Sequence, residues 1–153
     1  LLLDDSVYEK PDFEGSTCVM SPPIRPRAGG HQDALWAHVQ ARDWAAMRAA
    51  FADDVVTLWP VTGERFEGAD MIVRVNAEYP AGWSIEVTAV DALADGRVHS
   101  TVEVLHGEQR FFAHSRFTFA GTQIAQLCEH WATSEAPPAW RTAERLGPGY
   151  RRG

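Results

Sequence analysis

Hydrophobic and polar residues recur with two different periods along this chain, which divide it into a mainly helical part and a mainly strand part. From residue 31 onward apolar side chains return at helical spacing, as at Trp36 and Val39, and a second helical segment begins after the potential cap Asp43. A third segment of helical period covers residues 69–78 and ends before the breaker sequence of residues 80–82. The pattern therefore predicts three helices.

Alternation of apolar and polar residues with period 2 predicts the strands. Two short strands lie between the second and third helices, one from Val55 to the strand breaker Pro60 and one that closes at Gly68. The longer strands follow and cover residues 83–93, 97–105 and the two arms of a hairpin over residues 111–131. This order predicts an α+β fold in which a strongly bent antiparallel sheet wraps around three helices as a cone-shaped barrel with an open end.

The last hairpin decides which side chains share a face of the predicted sheet. A two-residue turn at residues 120–121 would pair Phe117 with Ile124. In this register the inner face is apolar near the turn and polar farther from it, where it carries Ser115, Gln126, Cys128 and His130. Buried polar groups cost free energy unless they are hydrogen-bonded, so the pattern indicates a ligand cavity at that end. One bulge in the hairpin would exchange the two faces.

The same register extends to the two preceding strands. Asp95 and Gly96 form a strong hairpin turn signal, and residues 106–109 form a plausible second turn. Pairing across this second turn places alternate residues of the predicted strand 97–105 on the inner face, namely Val98, Ser100, Val102 and Val104. Strict alternation fails in the first long strand near residues 88–90, which predicts a bulge there.

Composition narrows the range of partners. The chain has 153 residues, of which 45% are hydrophobic and 23% charged, and its formal net charge is −7. Phosphate binding requires a basic face, so this acidic chain argues against a nucleic-acid partner. No stretch approaches the length of a membrane span, and the two cysteines, Cys18 and Cys128, do not suggest a disulfide framework. We expect a cytoplasmic protein with no membrane and no nucleic-acid partner.

The chain has a folded centre between two irregular ends. Residues 1–30 are acidic and aperiodic and then rich in Pro, so we expect a poorly ordered leader. Residues 31–136 form the predicted cone domain. Residues 137–153 contain several Pro and Gly residues and are expected to form an extended tail.

Four segments carry a family resemblance that covers about residues 31–140. They are the helix pair ending A-R-D-W-A-A-M-R-A-A-F-A-D-D-V-V, then W-P-V-T-G-E-R-F-E-G-A-D-M-I, then Y-P-A-G-W-S-I-E-V, and finally F-T-F-A-G-T-Q-I-A-Q-L-C-E-H-W followed by P-P-A-W-R. In order and spacing they resemble the SnoaL-like proteins of the nuclear-transport-factor-2-like superfamily. The resemblance implies a cone-shaped α+β barrel, usually dimeric, with a pocket between sheet and helices.

The resemblance does not imply one reaction. Members of the superfamily include isomerases, polyketide cyclases, dehydratases and epoxide hydrolases that work without a metal, and also members that only bind. We therefore expect no cofactor. This chain departs from related motifs at His130, where Tyr is common, and at Gln126, where cyclase-like members often have an acid.

His130 is the candidate catalytic residue, because an imidazole titrates near working pH and could transfer a proton at a carbon next to a carbonyl. The alternative is a core histidine satisfied by a neighbouring side chain. The candidate substrate-binding residues are aromatic walls and groups of the predicted inner face, with ordinary core packing as the alternative for the aromatic ones. They are Trp59, Tyr79, Trp83, Ser100, Val102, Phe111, Ser115, Gln126 and Cys128.

The opposite face of the predicted sheet mixes apolar and charged side chains. In the derived register Glu103, Phe112 and Glu129 form one row, and His114 lies in the next. Two acids around one histidine could form a metal site, but a mixed open face also suits a homodimer interface, and we expect the interface and no metal. The interface residues would be Thr101, Glu103, Phe112, His114, Leu127, Glu129 and Trp131.

These observations predict a small homodimeric pocket protein that binds a small, mostly apolar molecule. Its expected activity is cofactor-free acid–base chemistry such as isomerisation, cyclisation or dehydration. A non-catalytic binder with the same pocket and a protein-interaction module are the alternatives. The size of the cavity would separate the interaction module from the other two, because an interaction module would have a closed or very small cavity and apolar surface left exposed.

Overall fold

The protein folds as a bent sheet with helices packed against one face. A computed structural model describes residues 31–151, so the predicted leader of residues 1–30 lies outside the described residues. The helices are α1 (His31–Ala41), α2 (Trp44–Ala50), α3 (Ala69–Glu78) and α4 (Ala143–Leu146). The strands are β1 (Phe51–Trp59), β2 (Glu64–Glu67), β3 (Trp83–Ala92), β4 (Val98–His106), β5 (Gln109–Ala120) and β6 (Gln123–Thr133).

The six strands form one sheet in the order β2-β1-β6-β5-β4-β3. Strands β1 and β6 run parallel, whereas the other neighbouring pairs are antiparallel. The sheet is bent and unclosed, with β2 and β3 at its edges, so the predicted α+β cone is confirmed. This parallel pair was not predicted. It places β1, the first strand along the chain, beside β6, the last.

Local sequence signals explain the helix bounds. The Asp43 side chain accepts a hydrogen bond from the backbone N–H of Ala46 at 3.0 Å, as an N-cap of α2 does. Helix α3 covers the predicted residues 69–78 and ends before Pro80. Helix α2 is shorter than its apolar period suggests, because Phe51 begins β1 as a fully buried core residue. Within residues 31–151 no helix is long and apolar enough to span a membrane.

The core lies between the helices and the face of the sheet that carries Ser100 and Phe117, which we call the inner face. Trp36 of α1 packs edge-on against Phe117, with 6.4 Å between the ring centroids. Its Nε1 donates a hydrogen bond to Oγ of Ser100 at 3.0 Å, so this buried hydroxyl oxygen is satisfied within the core. Aromatic packing and one polar contact thus join α1 to the centre of the sheet.

The predicted register of the middle strands is confirmed. Strand β4 pairs with β5 so that Val98 faces Phe117 and Ser100 faces Ser115. The register between β3 and β4 shifts between Val87 and Ala89, which is the position of the predicted bulge. Strict alternation on β4 and β5 was therefore enough to align these two strands.

The register of the last hairpin differs from the prediction. The turn lies one residue later, and Ala125 is an extra residue on β6 between the partners of Phe119 and Thr118. Moving the turn by one residue on each arm leaves the faces unchanged, but one unpaired residue moves every later side chain of β6 to the other face. The predicted partners were therefore wrong along the whole hairpin, and the predicted faces were wrong beyond Ile124.

This bulge relocates several predicted site residues. Three residues predicted for the inner face lie on the opposite, outer face: Gln126, Cys128 and His130. Three residues predicted for an outer-face dimer interface lie on the inner face: Leu127, Glu129 and Trp131. Because Glu129 and His114 are on opposite faces, the predicted group of two acids around one histidine does not form. The other predicted interface residues keep their outer-face positions: Thr101, Glu103, Phe112 and His114.

The segment after β6 is not extended throughout, as had been predicted for residues 137–153. Residues 143–146 form α4, and the Thr142 side chain caps it by accepting a hydrogen bond from the backbone N–H of Arg145 at 3.2 Å. Trp140 in this segment is 52% exposed, so its ring is not buried against the body of the domain.

Candidate functional site

A cavity of about 440 Å³ lies between the inner face of the sheet and helices α1 and α3. Its volume is in the range of small-molecule binding sites, and most of its wall is apolar or aromatic. The lining residues are Trp36, Val39, Trp59, Val61, Thr62, Glu64, Val75, Asn76, Tyr79, Trp83, Ile85, Val104, Phe111, Glu129, Trp131, Ala132 and Thr133. The end of β6 therefore contributes to the wall of this cavity.

Glu129 is the buried ionisable side chain of the cavity. The bulge in β6 directs it to the inner face, where the residue is 4% exposed. Its Oε2 accepts a hydrogen bond from Nε1 of Trp59 at 2.8 Å, and its Oε1 accepts one from Oγ of Ser115 at 2.9 Å. Trp59 belongs to β1 and Ser115 to β5, the two strands that flank β6. The carboxyl group is thus held from both sides by the sheet.

Burial raises the pKa of Glu129 above its ordinary value, because the charged form loses its hydration. The indole N–H of Trp59, the hydroxyl of Ser115 and the indole N–H of Trp131 stabilise the charged form and act in the opposite direction, but burial is the larger effect. Glu129 therefore stays protonated to a higher pH than an exposed glutamate. Such a carboxyl group is better matched to proton transfer near neutral pH.

Trp131 follows Glu129 by two residues and shares its face of β6. Its ring lies against that of Trp59, with 6.3 Å between the centroids and an angle of 71° between the planes. The Trp131 Nε1 is buried and forms no hydrogen bond within the described part of the chain, although it is near enough to Glu129 to lower the pKa of that carboxyl group. A buried N–H without a partner costs about 1–3 kcal/mol. The ring of Trp131 contributes to the cavity wall, while its Nε1 atom is enclosed by protein.

Arg42 holds one wall of the cavity from outside. Its guanidinium carbon lies 3.8 Å from the centroid of a Trp83 ring, and its Nη2 donates a hydrogen bond to the carbonyl oxygen of Trp83 at 2.7 Å. The neighbouring Gln40 accepts a hydrogen bond from the backbone N–H of Ile85 at 2.6 Å. The end of α1 therefore supplies polar partners to β3 at the open edge of the sheet.

A contact with His106 orients Tyr79, which is 45% exposed beside the cavity. Its hydroxyl lies 3.3 Å from Nδ1 of His106, and Nε2 of the same ring lies 3.1 Å from the carbonyl oxygen of Ala81. A carbonyl oxygen can only accept, so in the neutral imidazole Nε2 carries the proton and Nδ1 accepts from Tyr79. The Tyr79 hydroxyl is therefore already engaged by the protein.

The structure brings together about half of the predicted substrate-binding residues. Four aromatic residues predicted as walls line the cavity: Trp59, Tyr79, Trp83 and Phe111. Ser115 does not line it but donates the hydrogen bond that holds Glu129. Their role in substrate binding stays a prediction.

The other predicted site residues do not line the cavity. Ser100 is bonded to Trp36 in the core, and Val102 is fully buried between neighbouring strands. The bulge carries the remaining three to the outer face, where Cys128 is buried, Gln126 is half-buried and His130 is exposed. His130 is therefore not placed to act in this cavity.

Sequence reasoning missed Glu129 and Trp131 as cavity residues. The hairpin was aligned from its turn alone, and that register buries Gln126 and His130. Counting the alternation from Leu127 instead places Leu127 and Trp131 together on the inner face. Burial of one leucine side chain is worth about 1.5–3 kcal/mol. The two large apolar side chains were the available signal, and they outweigh the turn.

The site has the parts needed for proton transfer to a small molecule. An apolar wall surrounds one carboxyl group with a raised pKa and one indole N–H without a partner. Among the described residues no group of three or more His, Cys, Asp or Glu side chains is arranged to hold a metal ion. Proton transfer and hydrogen bonding are the chemistry that these side chains can provide.

The chain resembles several solved structures of known fold. A candidate ketosteroid isomerase from Kribbella flavida is 25% identical, with a TM-score of 0.68 over 80% of this chain and 88% of that chain. An epoxide hydrolase of M. tuberculosis described as LEH-like is 17% identical, with a TM-score of 0.57 over 67% of this chain and 76% of that one. A candidate polyketide cyclase from Sinorhizobium meliloti is 22% identical, with a TM-score of 0.55 over 65% of this chain and 92% of that one.

A family comparison agrees with these structural likenesses. The SnoaL-like domain matches residues 33–127, which is more than half of the chain and includes α2, α3, β1 to β5 and the first part of β6. The structures that resemble the chain include proteins described as nuclear-transport-factor-2-like. The chain therefore belongs to the SnoaL-like family of the nuclear-transport-factor-2-like fold.

Proposed function

We propose that the protein catalyses cofactor-free acid–base chemistry, such as isomerisation, cyclisation or dehydration, on a small and mostly apolar substrate, with Glu129 as the residue that transfers the proton. The observation that carries the proposal is one buried carboxyl group in the wall of an apolar cavity, held by Trp59 and Ser115. This replaces His130, which lies on the other face of the same strand.

The proposed step is a proton transfer at a carbon next to a carbonyl. The Glu129 carboxylate takes the proton from that carbon, and the electron pair of the broken C–H bond moves toward the carbonyl oxygen to give an enolate. The resulting carboxylic acid returns the proton to the same or to another carbon. Because Trp59 and Ser115 fix both oxygens of Glu129, the group needs little rearrangement between the two transfers.

The cavity wall supports a mostly apolar substrate. The aromatic part of the wall is formed by Trp36, Trp59, Trp83 and Phe111. Binding of an apolar ligand against this surface is favourable, because apolar surface is removed from water. Four tryptophans line the cavity, so ligand entry should change the intrinsic fluorescence of the protein. This gives a measurement of binding that does not depend on turnover.

The proposal is tested by hydrogen exchange at carbon in D₂O, followed by NMR for a panel of small cyclic ketones. We expect the wild-type protein to accelerate exchange next to the carbonyl, and Glu129→Gln to lower the rate by about 10²–10⁴-fold. The matched control is His130→Gln on the exposed outer face, which should retain the wild-type rate within about twofold. Equal rates for Glu129→Gln and wild type would refute the assignment.

A fluorescence titration with the same ketones, compared with the exchange rates, separates catalysis from binding alone. A non-catalytic binder would change its tryptophan fluorescence saturably with a ketone and show no exchange above buffer. Product analysis of molecules that co-purify with the native protein would then identify the class of ligand. Saturable binding without any exchange would remove the catalytic part of the proposal and keep the cavity as a binding site.

We also propose that the chain forms a homodimer through the outer face of the sheet. Phe112 is half-buried and Leu105 is 43% exposed on this face, next to the ion pair in which Arg110 Nε lies 2.8 Å from Glu103 Oε1. Apolar side chains mixed with charges on an open sheet are typical of a subunit interface. A second copy would cover these apolar groups and leave the cavity on the inner face open.

A further inference from the structure

An amide side chain lies on the helix wall of the cavity, whereas Glu129 lies on the sheet wall. Asn76 is half-buried in the last turn of α3 and lines the main cavity. It follows the buried Ile72 by four residues, so both side chains are on the face of α3 that is turned toward the sheet. The helix therefore contributes one polar side chain to a wall that is mostly apolar.

The amide of Asn76 is only partly used by the protein. Its Nδ2 donates a hydrogen bond to the carbonyl oxygen of Ile72 at 2.9 Å, and because a carbonyl oxygen only accepts, this contact identifies and holds the nitrogen end of the amide. The second hydrogen on Nδ2 diverges from the first and does not reach the same carbonyl. In the described part of the chain the polar side-chain atoms enclosed without a hydrogen bond are Thr57 Oγ1 and Trp131 Nε1, so the unbonded Oδ1 of Asn76 is accessible.

Asn76 differs from the other amide and hydroxyl side chains of the lining, which are Thr62, Tyr79 and Thr133. All three are exposed, the Thr62 hydroxyl lies 3.3 Å from the carbonyl oxygen of Trp59, and the Tyr79 hydroxyl is engaged by His106. Water competes with an exposed donor, whereas a donor in a site that excludes water acts more strongly on a charge. Asn76 is therefore the better placed of these groups to act on a bound molecule.

A second, small cavity shows that Asn76 and Glu129 approach each other. Its volume is about 20 Å³, and both residues line it together with Trp36, which also lines the main cavity. A void of this size has room for about one water molecule. The helix wall and the sheet wall therefore converge at this end of the main cavity, with Asn76 on one side of a narrow gap and Glu129 on the other.

We propose that the remaining N–H of Asn76 Nδ2 binds the carbonyl oxygen of the substrate and stabilises the negative charge that this oxygen gains when the Glu129 carboxylate removes the neighbouring proton. This inference rests on the proposed function and adds a second catalytic residue to it. The proton goes to Glu129, which becomes neutral, and the electron pair of the broken C–H bond ends on the oxygen beside Asn76. Because the described lining contains no Arg, Lys or His, a neutral donor meets this charge.

The chemistry of the step requires the base and the donor to lie close together. The carbon that loses its proton is bonded to the carbonyl carbon, so one end of the substrate must contact both groups. Glu129 is fixed from the sheet by Trp59 and Ser115, and Asn76 is fixed from the helix by Ile72. Both groups are thus held before the substrate enters, which limits the rearrangement during the reaction.

The test is hydrogen exchange in D₂O at the carbon next to the carbonyl of 1-tetralone. Asn76→Leu keeps nearly the same volume and has no N–H. We expect its kcat to fall about 10²–10³-fold, as on removal of one donor to a developing negative charge. Its KM should stay within about threefold of wild type, because the contact strengthens as the charge develops. A wild-type kcat, or a loss confined to KM, would overturn the proposal.

Arg74→Gln is the matched control on the same helix. It breaks an exposed contact in which Arg74 Nε lies 2.7 Å from Glu78 Oε1, and it should retain the wild-type rate within about twofold. A comparable loss of kcat in this variant would assign the Asn76 effect to the stability of α3 and overturn the proposal.

The pH profile separates an effect on the substrate from an effect on the base. The side chains that act on the pKa of Glu129 are Trp59, Ser115 and Trp131, so Asn76→Leu should keep the pH of half-maximal rate seen in wild type. A shift of that pH would mean that Asn76 acts through Glu129 and would overturn the proposal.

A measurement on the wild-type protein covers the case in which Asn76→Leu does not fold. In ¹⁵N-labelled protein one of the two side-chain amide proton signals of Asn76 should move downfield when 1-tetralone binds, and should move much less with the hydrocarbon tetralin. An unchanged signal, or no binding of the ketone, would overturn the proposal.

The two assignments fail separately. If Glu129→Gln slows exchange and Asn76→Leu does not, then the proposed function stands and the role of Asn76 is wrong. If Asn76→Leu slows exchange and Glu129→Gln does not, then the assignment of the base is wrong and the donor stands.

Discussion

The two faces of strand β6 carry neighbouring residues with opposite surroundings. Glu129 on the inner face is 4% exposed and accepts hydrogen bonds from two other strands, whereas His130 on the outer face is exposed. Histidine is the side chain with the more suitable ordinary pKa for proton transfer. The carboxyl group is nevertheless the better candidate, because burial and fixed partners change its chemistry and bring it to a cavity. Position on the sheet matters more here than residue type.

The difference between the faces depends on one residue. Ala125 is unpaired, and without this bulge His130 would share a face with Ser115. The bulged register buries Leu127, half-buries Trp131 and exposes the imidazole. Removal of apolar surface from water is favourable, and the ionisable imidazole stays hydrated. The two faces are therefore expected to respond very differently to substitution.

The largest contrast should be in stability, between an inner-face and an outer-face residue of β5. Phe117→Ala removes a fully buried ring from the core and should lower the free energy of unfolding by about 3–5 kcal/mol. Arg116→Ala, one residue earlier and exposed, should change it by less than about 0.5 kcal/mol. Urea denaturation followed by far-UV circular dichroism measures both. Similar losses for the two variants would mean that the assigned faces are wrong.

Sequence was sufficient where local signals agree with tertiary packing. Strict alternation on β4 and β5 gave the correct register, and Gly68 and Pro80 bracket α3 correctly. The register of β6 was missed because the alternation was counted from the turn alone, which left out the bulge at Ala125. It depends on packing of Leu127 and Trp131 against the core and on the parallel pairing with β1, and both are tertiary. The aromatic walls were found, and the carboxyl group between them was not.

The second prediction concerns association through the outer face. Phe112→Glu places a charge in the proposed dimer interface and should weaken dimerisation about 30-fold or more, equivalent to about 2 kcal/mol, without changing the inner face. Light scattering coupled to size exclusion measures the mass against the 17.0 kDa of one chain. Thr122→Glu, exposed in the β5–β6 turn, is the control and should leave the dimer intact. A monomeric wild-type protein at all concentrations would contradict the proposed interface.

The third prediction tests how Arg42 supports Trp83 on the inner face. Arg42→Ala removes a hydrogen bond and a cation–π contact and should lower the free energy of unfolding by about 1–2 kcal/mol. Arg42 has φ of 56°, a left-handed conformation that glycine adopts more easily. Arg42→Gly removes the same side chain and should therefore be more stable than Arg42→Ala by up to about 1 kcal/mol. If the alanine variant is as stable as wild type, then Trp83 does not need this support.

The smallest expected effect is the pH dependence that Glu129 gives to stability. Its pKa is raised in the folded protein from an ordinary value near 4.5, so the unfolded chain loses this proton at a lower pH than the folded protein does. Between those two pKa values the folded state binds more protons, and the free energy of unfolding falls as pH rises. Glu129→Gln cannot titrate, so its stability relative to wild type should increase across that interval and stay constant above it.

Denaturant unfolding at a series of pH values from about 4 upward tests this sign. Ser115→Ala is the informative second variant, because it removes a hydrogen bond that lowers the pKa of Glu129. The fall in stability should then continue to a higher pH than in wild type. Parallel stability curves for wild type and Glu129→Gln would show that the Glu129 pKa is not raised by burial. Such a result would remove the feature that most clearly separates the inner face of β6 from its outer face.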